Sequence, residues 1–361
     1  MALTTQRVRY DWYLRWLEQP QRMQPGTRMP SVSSNGKSLL DHVLGGSAES
    51  QADAMWAYLS LGPGMPLPEG LEPPKGLILT VKDKPILLRT FMPDAGARAM
   101  AVGYPNGVSV SFDAATCRLA YGWSGNFLDA SPVWNDRGGN PAKVLGQRFW
   151  NAPAGCPWGV NYSNEPPNFA ALASDPAYGA PLPEGKLYDG PHQIRFDGYR
   201  VDKTGLPTFR YRVNAADADS VKVSECPEPL RSPAGVGVAR RFSLEVSQQQ
   251  TAWLLAGETN REPRVLDAKG APISVDLKAG IVEIPTDRVV VLPQEGDRSL
   301  VLTAVSVPEG SQWQLRRQEK KWQLLLRLPA AKEASKLAVG MNVWSLYRDE
   351  PALLKELFPS K

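Results

Sequence analysis

The chain has 361 residues, of which 42% are hydrophobic, and its 31 glycines and 33 prolines favour many turns over long helices, which argues against an all-helical fold. Its 41 Lys and Arg against 37 Asp and Glu leave a formal net charge of +4, and the two signs alternate along most of the chain, so no nucleic-acid footprint stands out. No run approaches the ~18 apolar residues of a membrane span, and the first residues lack the apolar core of a signal peptide.

The first sixty residues predict a compact unit of three short helices. Aromatic and leucine side chains recur at helical spacing over 10–17, and a proline follows shortly after. Residues 21–30 contain two prolines and a glycine, so we expect an irregular loop there. A second short helix is expected over 38–43, and a third over 47–62, with Ser47 as its N-cap.

The composition changes after residue 62. Residues 63–74, PGMPLPEGLEPP, predict a linker. Beyond it, at least a dozen short runs of β-branched and aromatic residues are separated by turn residues. We therefore expect a mainly β protein in which a helical segment, 1–62, precedes a large antiparallel β-sandwich-type domain, 75–361, of one or two subdomains.

Two parts of this domain lack a strand pattern, and its tail has a helical one. Residues 124–159 and 161–186 are expected to be long loops, and the tail 343–357 is expected to close with a short helix. Three widely spaced cysteines show no metal-type spacing and allow one disulfide with one free thiol, in a pairing that the sequence does not predict.

The loop PGTRMP, Pro25 to Pro30, holds a methionine between two prolines. A thioether is a soft, neutral ligand that favours reduced iron, and flanking prolines would hold it without a flexible tether. The plain alternative is that Met23 and Met29 fill gaps in an ordinary helical cap.

The sequence WYLRWLEQPQRMQPGTRMPS, followed by QADAMWAYL, resembles the methionine-ligand half of class I c-type cytochromes. The resemblance implies electron transfer as the function, haem c as the cofactor, Met29 as the metal ligand, and a redox partner protein or a dehydrogenase domain as the partner. The cofactor-binding residues that it implies are Pro25, Gly26, Arg28, Met29, Pro30 and Trp56.

One departure from that family is clear. A c-type cytochrome needs Cys-x-x-Cys-His, and this sequence has none, its only histidines being His42 and His192. We therefore expect haem c only if the missing half is supplied. Either the chain begins downstream of that half or the haem site has decayed, and truncation is favoured because a decayed site has little reason to keep the whole methionine loop.

The segments 89–146 and 196–212 resemble the β-rich module that accompanies such cytochrome segments in large secreted or periplasmic multidomain proteins of planctomycete and verrucomicrobial type. The resemblance implies a periplasmic or otherwise exported location beside dehydrogenase domains. It implies no particular activity.

Aromatic rings in glycine-rich loops raise a second hypothesis, a carbohydrate- or surface-binding β-module, because exposed rings and planar polar groups bind sugars. The alternative is that the tryptophans pin long loops onto the sheet. The candidate ligand-binding residues are Trp123, Trp134, Arg137, Trp150 and His192.

Catalytic patterns are weak. No Gly-x-Ser-x-Gly elbow lies near either histidine, and phosphate-cradling loops are absent from the sequence. A mutarotase-like enzyme is the third hypothesis, and it requires His192 in a pocket beside carboxylates. An enzyme is not the favoured interpretation.

Overall fold

A computed structural model describes residues 3–62, 65–66, 76–135, 139–214 and 220–347, together with Leu354 and Leu357. The chain divides into two compact units, Met1–Lys75 and Gly76–Lys361. Of the linker expected at 63–74, residues 65 and 66 alone are described, so its bounds stay a prediction.

The first unit is built from short helices and one small hairpin. Its elements are α1 (Thr4–Arg7), α2 (Tyr10–Glu18), α3 (Pro20–Met23), β1 (Ser33–Ser34), β2 (Lys37–Ser38) and α4 (Ala48–Ser60). The predicted first and third helices correspond to α2 and α4, and the Ser47 hydroxyl caps α4 by accepting a hydrogen bond from the Ser50 amide at 3.2 Å.

The helix expected over 38–43 is wrong. Residues Asn35 and Gly36 both have positive φ, 52° and 75°, and join β1 to β2 as a tight turn. An Asn-Gly pair favours such a hairpin turn because both residues tolerate the left-handed region. The chain then turns through a short 3-10 segment, Leu44–Gly46, before α4 begins.

The second unit contains three antiparallel sheets. The first, of six strands, comprises β3 (Ile78–Leu79), β4 (Ile86–Arg89), β5 (Ala99–Gly103), β6 (Val108–Asp113), β7 (Arg118–Asp129) and β8 (Lys143–Asn151). The second, of five strands, comprises β9 (Trp158–Asn161), β14 (Thr251–Thr259), β17 (Ile281–Pro285), β20 (Gln312–Gln318) and β21 (Lys321–Leu328).

The third sheet has nine strands, in the spatial order β10-β11-β12-β13-β22-β19-β18-β15-β16. These strands are β10 (Ile194–Val201), β11 (Pro207–Val213), β12 (Val221–Ser232), β13 (Gly235–Val246), β15 (Arg264–Leu266), β16 (Pro272–Ile273), β18 (Val289–Pro293), β19 (Arg298–Ser306) and β22 (Ser335–Tyr347). Two short helices, α5 (Ser131–Asn135) and α6 (Phe169–Ser174), lie in the connections.

One continuous apolar core contains side chains from all three sheets. Phe112 of the six-stranded sheet stacks on Phe209 of the nine-stranded sheet, with ring centroids 4.1 Å apart, while Leu254 and Trp313 enter from the five-stranded sheet. Antiparallel sheets that bury one face against another form sandwich-type domains. The prediction of a mainly β, antiparallel sandwich-type domain is therefore confirmed.

One sequence prediction for this domain is wrong, and a second is wrong for the first part of its segment. Residues 124–159, expected to be a loop, contain the second half of β7 and all of β8, whose partly exposed residues lack an apolar alternation. The tail 343–357, expected to close with a short helix, begins as the last part of β22, which runs to Tyr347 between β13 and β19. In both places the neighbouring strand decides the conformation. Farther along the tail the structure describes Leu354 and Leu357, and both are helical, as the prediction of a closing helix requires.

The three cysteines are free thiols. Cys117 and Cys156 are buried, and desolvation raises the pKa of Cys156 to about 12, so that this thiol stays protonated at neutral pH. Among the described residues, no helix is long and apolar enough to cross a bilayer.

Candidate functional sites

The methionine loop leaves α3 and returns to α2. Gly26 turns the chain with a φ of 83°, and the Met29 amide donates to Thr27 Oγ1 at 3.3 Å. The Val32 amide then donates to the Leu17 carbonyl at 3.2 Å, which fixes the end of the loop on α2. Met29 is half-buried, whereas Pro25, Gly26, Arg28 and Pro30 are exposed.

A second segment, residues 38–44, is held against α4 by one glutamine. Gln51 Nε2 donates to the carbonyl oxygens of Leu40 at 2.8 Å and Val43 at 2.6 Å, and Gln51 Oε1 accepts from the Ser38 hydroxyl at 2.6 Å. This polar clamp gives hydrogen-bond donors to the Leu40 and Val43 carbonyl groups, which lie beyond the end of the β1–β2 hairpin. It fixes a run of apolar side chains at the surface beside α4.

These parts enclose an apolar groove of about 680 Å³. Its walls come from α2, from the end of the methionine loop, from the segment 38–44 and from α4. Several of the wall residues are strongly exposed, Leu39 at 74%, Leu44 at 55% and Met55 at 44%. Exposed apolar surface gathered in one concave place is typical of a ligand- or partner-binding site.

The groove wall is mainly apolar, and Val32 on this wall lies three residues after Met29. Met29 itself is not among the residues that line the groove. The described residues thus provide an apolar wall with a thioether in the adjoining loop, and a proximal histidine would have to come from elsewhere. Among the described residues there is no cluster of three or more His, Cys, Asp or Glu side chains placed to hold a metal ion.

Trp56 lies away from the groove wall. Its ring packs on Tyr10 at a centroid distance of 5.2 Å and on Tyr13 at 5.0 Å, and Tyr10 also donates a hydrogen bond to Asp53. This aromatic cluster joins α2 to α4. The contacts give Trp56 a packing role in the described unit, so a cofactor contact for it stays a prediction.

The candidate ligand-binding residues of the second unit do not form one site. Trp123 and Trp150 are 0% and 2% exposed, so neither ring offers a face to a ligand. Trp123 stacks on Phe127 and donates from Nε1 to its carbonyl oxygen at 3.0 Å, and both residues belong to β7. Trp134 is 72% exposed on α5, and Arg137 lies outside the described residues.

His192 is exposed and lines a cleft of about 970 Å³. Its ring meets Tyr188 edge to face, with centroids 5.1 Å apart. No carboxylate of the described residues lines the cleft, so a carboxylate beside His192, which the mutarotase-like hypothesis requires, stays a prediction. Its charged lining residues are cations, which sequence reasoning missed because they come from five different strands and connections: Arg89, Arg98, Lys186, Arg195 and Arg212.

No family model and no curated protein matches the chain. Among solved structures, a heparinase III aligns with 83% of this chain at 8% identity and a TM-score of 0.32, and the chain spans 40% of that protein. A 4-alpha-glucanotransferase from Thermococcus litoralis aligns with 74% at 11% identity and a TM-score of 0.27, over 40% of its length.

A third structure, a protein from Klebsiella pneumoniae provisionally assigned as an aldose 1-epimerase, aligns with 80% of this chain at 9% identity and a TM-score of 0.28, over 91% of its own length. At these TM-scores none of the three likenesses carries a conclusion about fold or activity.

Proposed function

We propose that residues 1–62 form the methionine-ligand half of a c-type haem unit that transfers electrons, in which the Met29 sulfur would be a ligand of the iron. The observation that carries the proposal is the open apolar groove, whose wall residue Val32 follows the methionine loop by two residues. A folded unit of this size gains no stability when an apolar surface of this kind stays in contact with water. An apolar cofactor supplies the missing cover.

The groove wall and Met29 would have different roles in holding the haem. The side chains of Leu17, Leu40 and Ala52 on the groove wall would exclude water from one face of the haem. The Met29 thioether, soft and uncharged, would favour the reduced iron and raise its potential. Haem supplies one-electron chemistry when it is bound. Because the sequence has no Cys-x-x-Cys-His, that segment must come from outside these 361 residues.

The setting follows from the two resemblances rather than from the groove. We infer an exported or periplasmic location, with a dehydrogenase domain or a redox protein as the electron partner. The similarity of segments 89–146 and 196–212 to modules of such multidomain proteins supports this assignment.

The test supplies the missing half as a reagent. The full chain is mixed with a short peptide that carries covalent haem on Cys-x-x-Cys-His and has one open axial position, and the visible spectrum is recorded after reduction. We expect six-coordinate, low-spin bands with the wild-type chain. Met29→Ala should abolish these bands, because alanine offers no ligand. Met23→Ala is the matched control, since Met23 is also half-buried, six residues earlier.

A second pair of variants tests the groove itself. Leu40 and Leu61 are both 54% exposed leucines of the first unit, and Leu40 alone of the two lines the groove. Leu40→Asp should weaken haem-peptide binding strongly, because the carboxylate would be desolvated, whereas Leu61→Asp should not. Equal spectra for Met29→Ala and wild type would remove Met29 from the iron, and equal binding by both aspartate variants would remove the groove.

A further inference from the structure

We infer that the cleft around His192 in the second unit binds an acidic oligosaccharide, a sugar chain that carries carboxylate or sulfate groups. This inference is independent of the haem proposal, because every residue that lines the cleft belongs to Gly76–Lys361. Of the candidate ligand-binding residues named above, the cleft contains His192, whereas neither Trp123, Trp134 nor Trp150 lines it.

Within the part of the chain that the structure describes, carboxylates do not neutralise all of the positive charge of the cleft. Arg89, Arg98 and Lys186 line it, and none has an acidic partner within ion-pair distance among the described residues. Arg212 donates from Nε and from Nη2 to the two carboxylate oxygens of Asp197, at 2.8 Å each. Arg195 Nε lies 3.8 Å from the same carboxylate. One carboxylate therefore faces two of five cations, and the other three stay available to a ligand.

The kinds of side chain indicate the kind of anion. Four of the five cations are arginines, whose planar guanidinium groups bind carboxylate, sulfate or phosphate through two parallel hydrogen bonds. A cleft of about 970 Å³ is far larger than one such ion and lies at the upper end of small-ligand sites. A ligand with several acidic groups in succession fits both the charge and the space.

The remaining lining favours a sugar backbone over a nucleic acid. Leu187, which is 93% exposed, and the half-buried Phe196 contribute apolar surface, and Asn214 contributes a planar amide, which together suit the apolar faces and the hydroxyl groups of a sugar ring. Single-stranded nucleic acid is held by exposed aromatic platforms on which bases stack. Tyr188 and Phe196 are half-buried, so the His192 ring is the one exposed aromatic group among the described lining residues, and it meets Tyr188 edge to face.

Backbone hydrogen bonds hold the wall of the cleft in place. The Gln193 amide donates to the Ala177 carbonyl at 2.9 Å, and the Asn214 amide donates to the Gln193 carbonyl at 2.7 Å. These bonds tie the segment 176–193 to the edge strand β10 and to the end of β11. Cations from the loop and from the sheet are thereby held on one concave surface before any ligand arrives, which lowers the entropy cost of binding.

The experiment measures binding of the full chain to four probes at low and at physiological salt: an oligogalacturonide, dextran sulfate, neutral dextran and single-stranded DNA. We expect saturable binding to at least one acidic glycan, weakened by salt because the contacts are ionic. The two acidic probes separate carboxylate from sulfate recognition.

Matched variants locate the binding. Arg195 and Arg200 are both exposed arginines on β10, and Arg195 alone lines the cleft. Lys186 lines the cleft and the exposed Lys203 does not. We expect Arg195→Gln and Lys186→Gln each to weaken binding about fivefold, the size typical of one exposed ionic contact, with Arg200→Gln, Lys203→Gln and Trp134→Ala unchanged.

Each of the following outcomes would overturn the inference. Binding of neutral dextran as strong as that of the acidic probes would show that charge is not the basis. Tighter binding of DNA than of either acidic glycan would assign the cleft to nucleic acid. Equal weakening by Arg200→Gln and Arg195→Gln would indicate diffuse surface charge, loss on Trp134→Ala would move the site to α5, and absence of binding to all four probes would leave no ligand site.

Discussion

At the scale of single residues, a charged pair lies inside the core of the second unit. Arg240 Nε donates to Glu225 Oε1 at 2.8 Å, with side-chain exposures of 2% and 0%, and the Tyr211 hydroxyl donates to Glu225 Oε2 at 3.1 Å. The guanidinium also lies 4.9 Å from the Phe242 ring centroid. Buried charges persist only when each has a partner, so the two residues depend on one another.

Removing one member of this pair should be costly. We expect Arg240→Met to lower the free energy of unfolding by roughly 3–5 kcal/mol, because the Glu225 carboxylate would stay buried without its cation. Lys222→Met is the control on the same two strands, since Lys222 pairs with Glu245 at 2.9 Å with both side chains more than half exposed. Its cost should be below about 1 kcal/mol. Denaturant unfolding measures both, and equal costs would contradict a structural role for the buried pair.

At the scale of elements, the loop that forms one wall of the cleft depends on a close backbone contact. Gly179 has a φ of 83°, and a Cβ at this position would lie 2.2 Å from the Ala115 carbonyl oxygen. Glycine is therefore required twice, once by conformation and once by space. The contact brings the segment that follows α6 against the turn between β6 and β7, and with it Lys186 and His192 to the cleft.

Gly179→Ala should displace this loop. We expect a loss of about 1–3 kcal/mol in unfolding free energy, from backbone strain and the clash together, and weaker binding of the acidic glycan probe. Gly185→Ala separates the two causes, because Gly185 has a φ of 77° with nothing near its Cβ position. It should show the cost of conformation alone, about 1–2 kcal/mol. If both variants bind and unfold alike, the Ala115 contact does not position the loop.

At the scale of the whole molecule, the two units have separate interiors. The helical unit is joined internally by the Tyr10, Tyr13 and Trp56 cluster, and the sandwich has its own continuous core. A ligand that binds only the folded form raises the stability of the unit to which it binds. The two proposed ligands should therefore act on different unfolding transitions.

We expect the haem peptide to raise the midpoint of the helical unit and the acidic glycan to raise that of the β-unit, each by several degrees at saturating concentration. Thermal scans that follow far-UV circular dichroism at a helical wavelength and tryptophan fluorescence distinguish the two transitions. A shift of both transitions by one ligand would show that the units unfold together and would remove the separation on which this prediction depends.

The local sequence pattern alone determined the fold class of this protein, which is mainly β. Runs of β-branched and aromatic residues indicate strands wherever the run itself is apolar, and the Ser47 N-cap marks the start of α4. The same reasoning missed β8 and the strand at 343–347, because there hydrogen bonds to a neighbouring strand outweigh a weak local preference. It also overlooked the Asn35-Gly36 turn, for which the signal was present in the sequence.

The sites divide in the same way. The methionine loop could be found from sequence, because its prolines and its methionine are adjacent along the chain. The burial of Trp123 and Trp150, the apolar groove and the basic cleft could not, because each is made by residues that are distant in sequence and that meet only when the chain packs. A sequence records which side chains exist, whereas exposure and proximity are properties of the packed chain, and these decide what a side chain can bind.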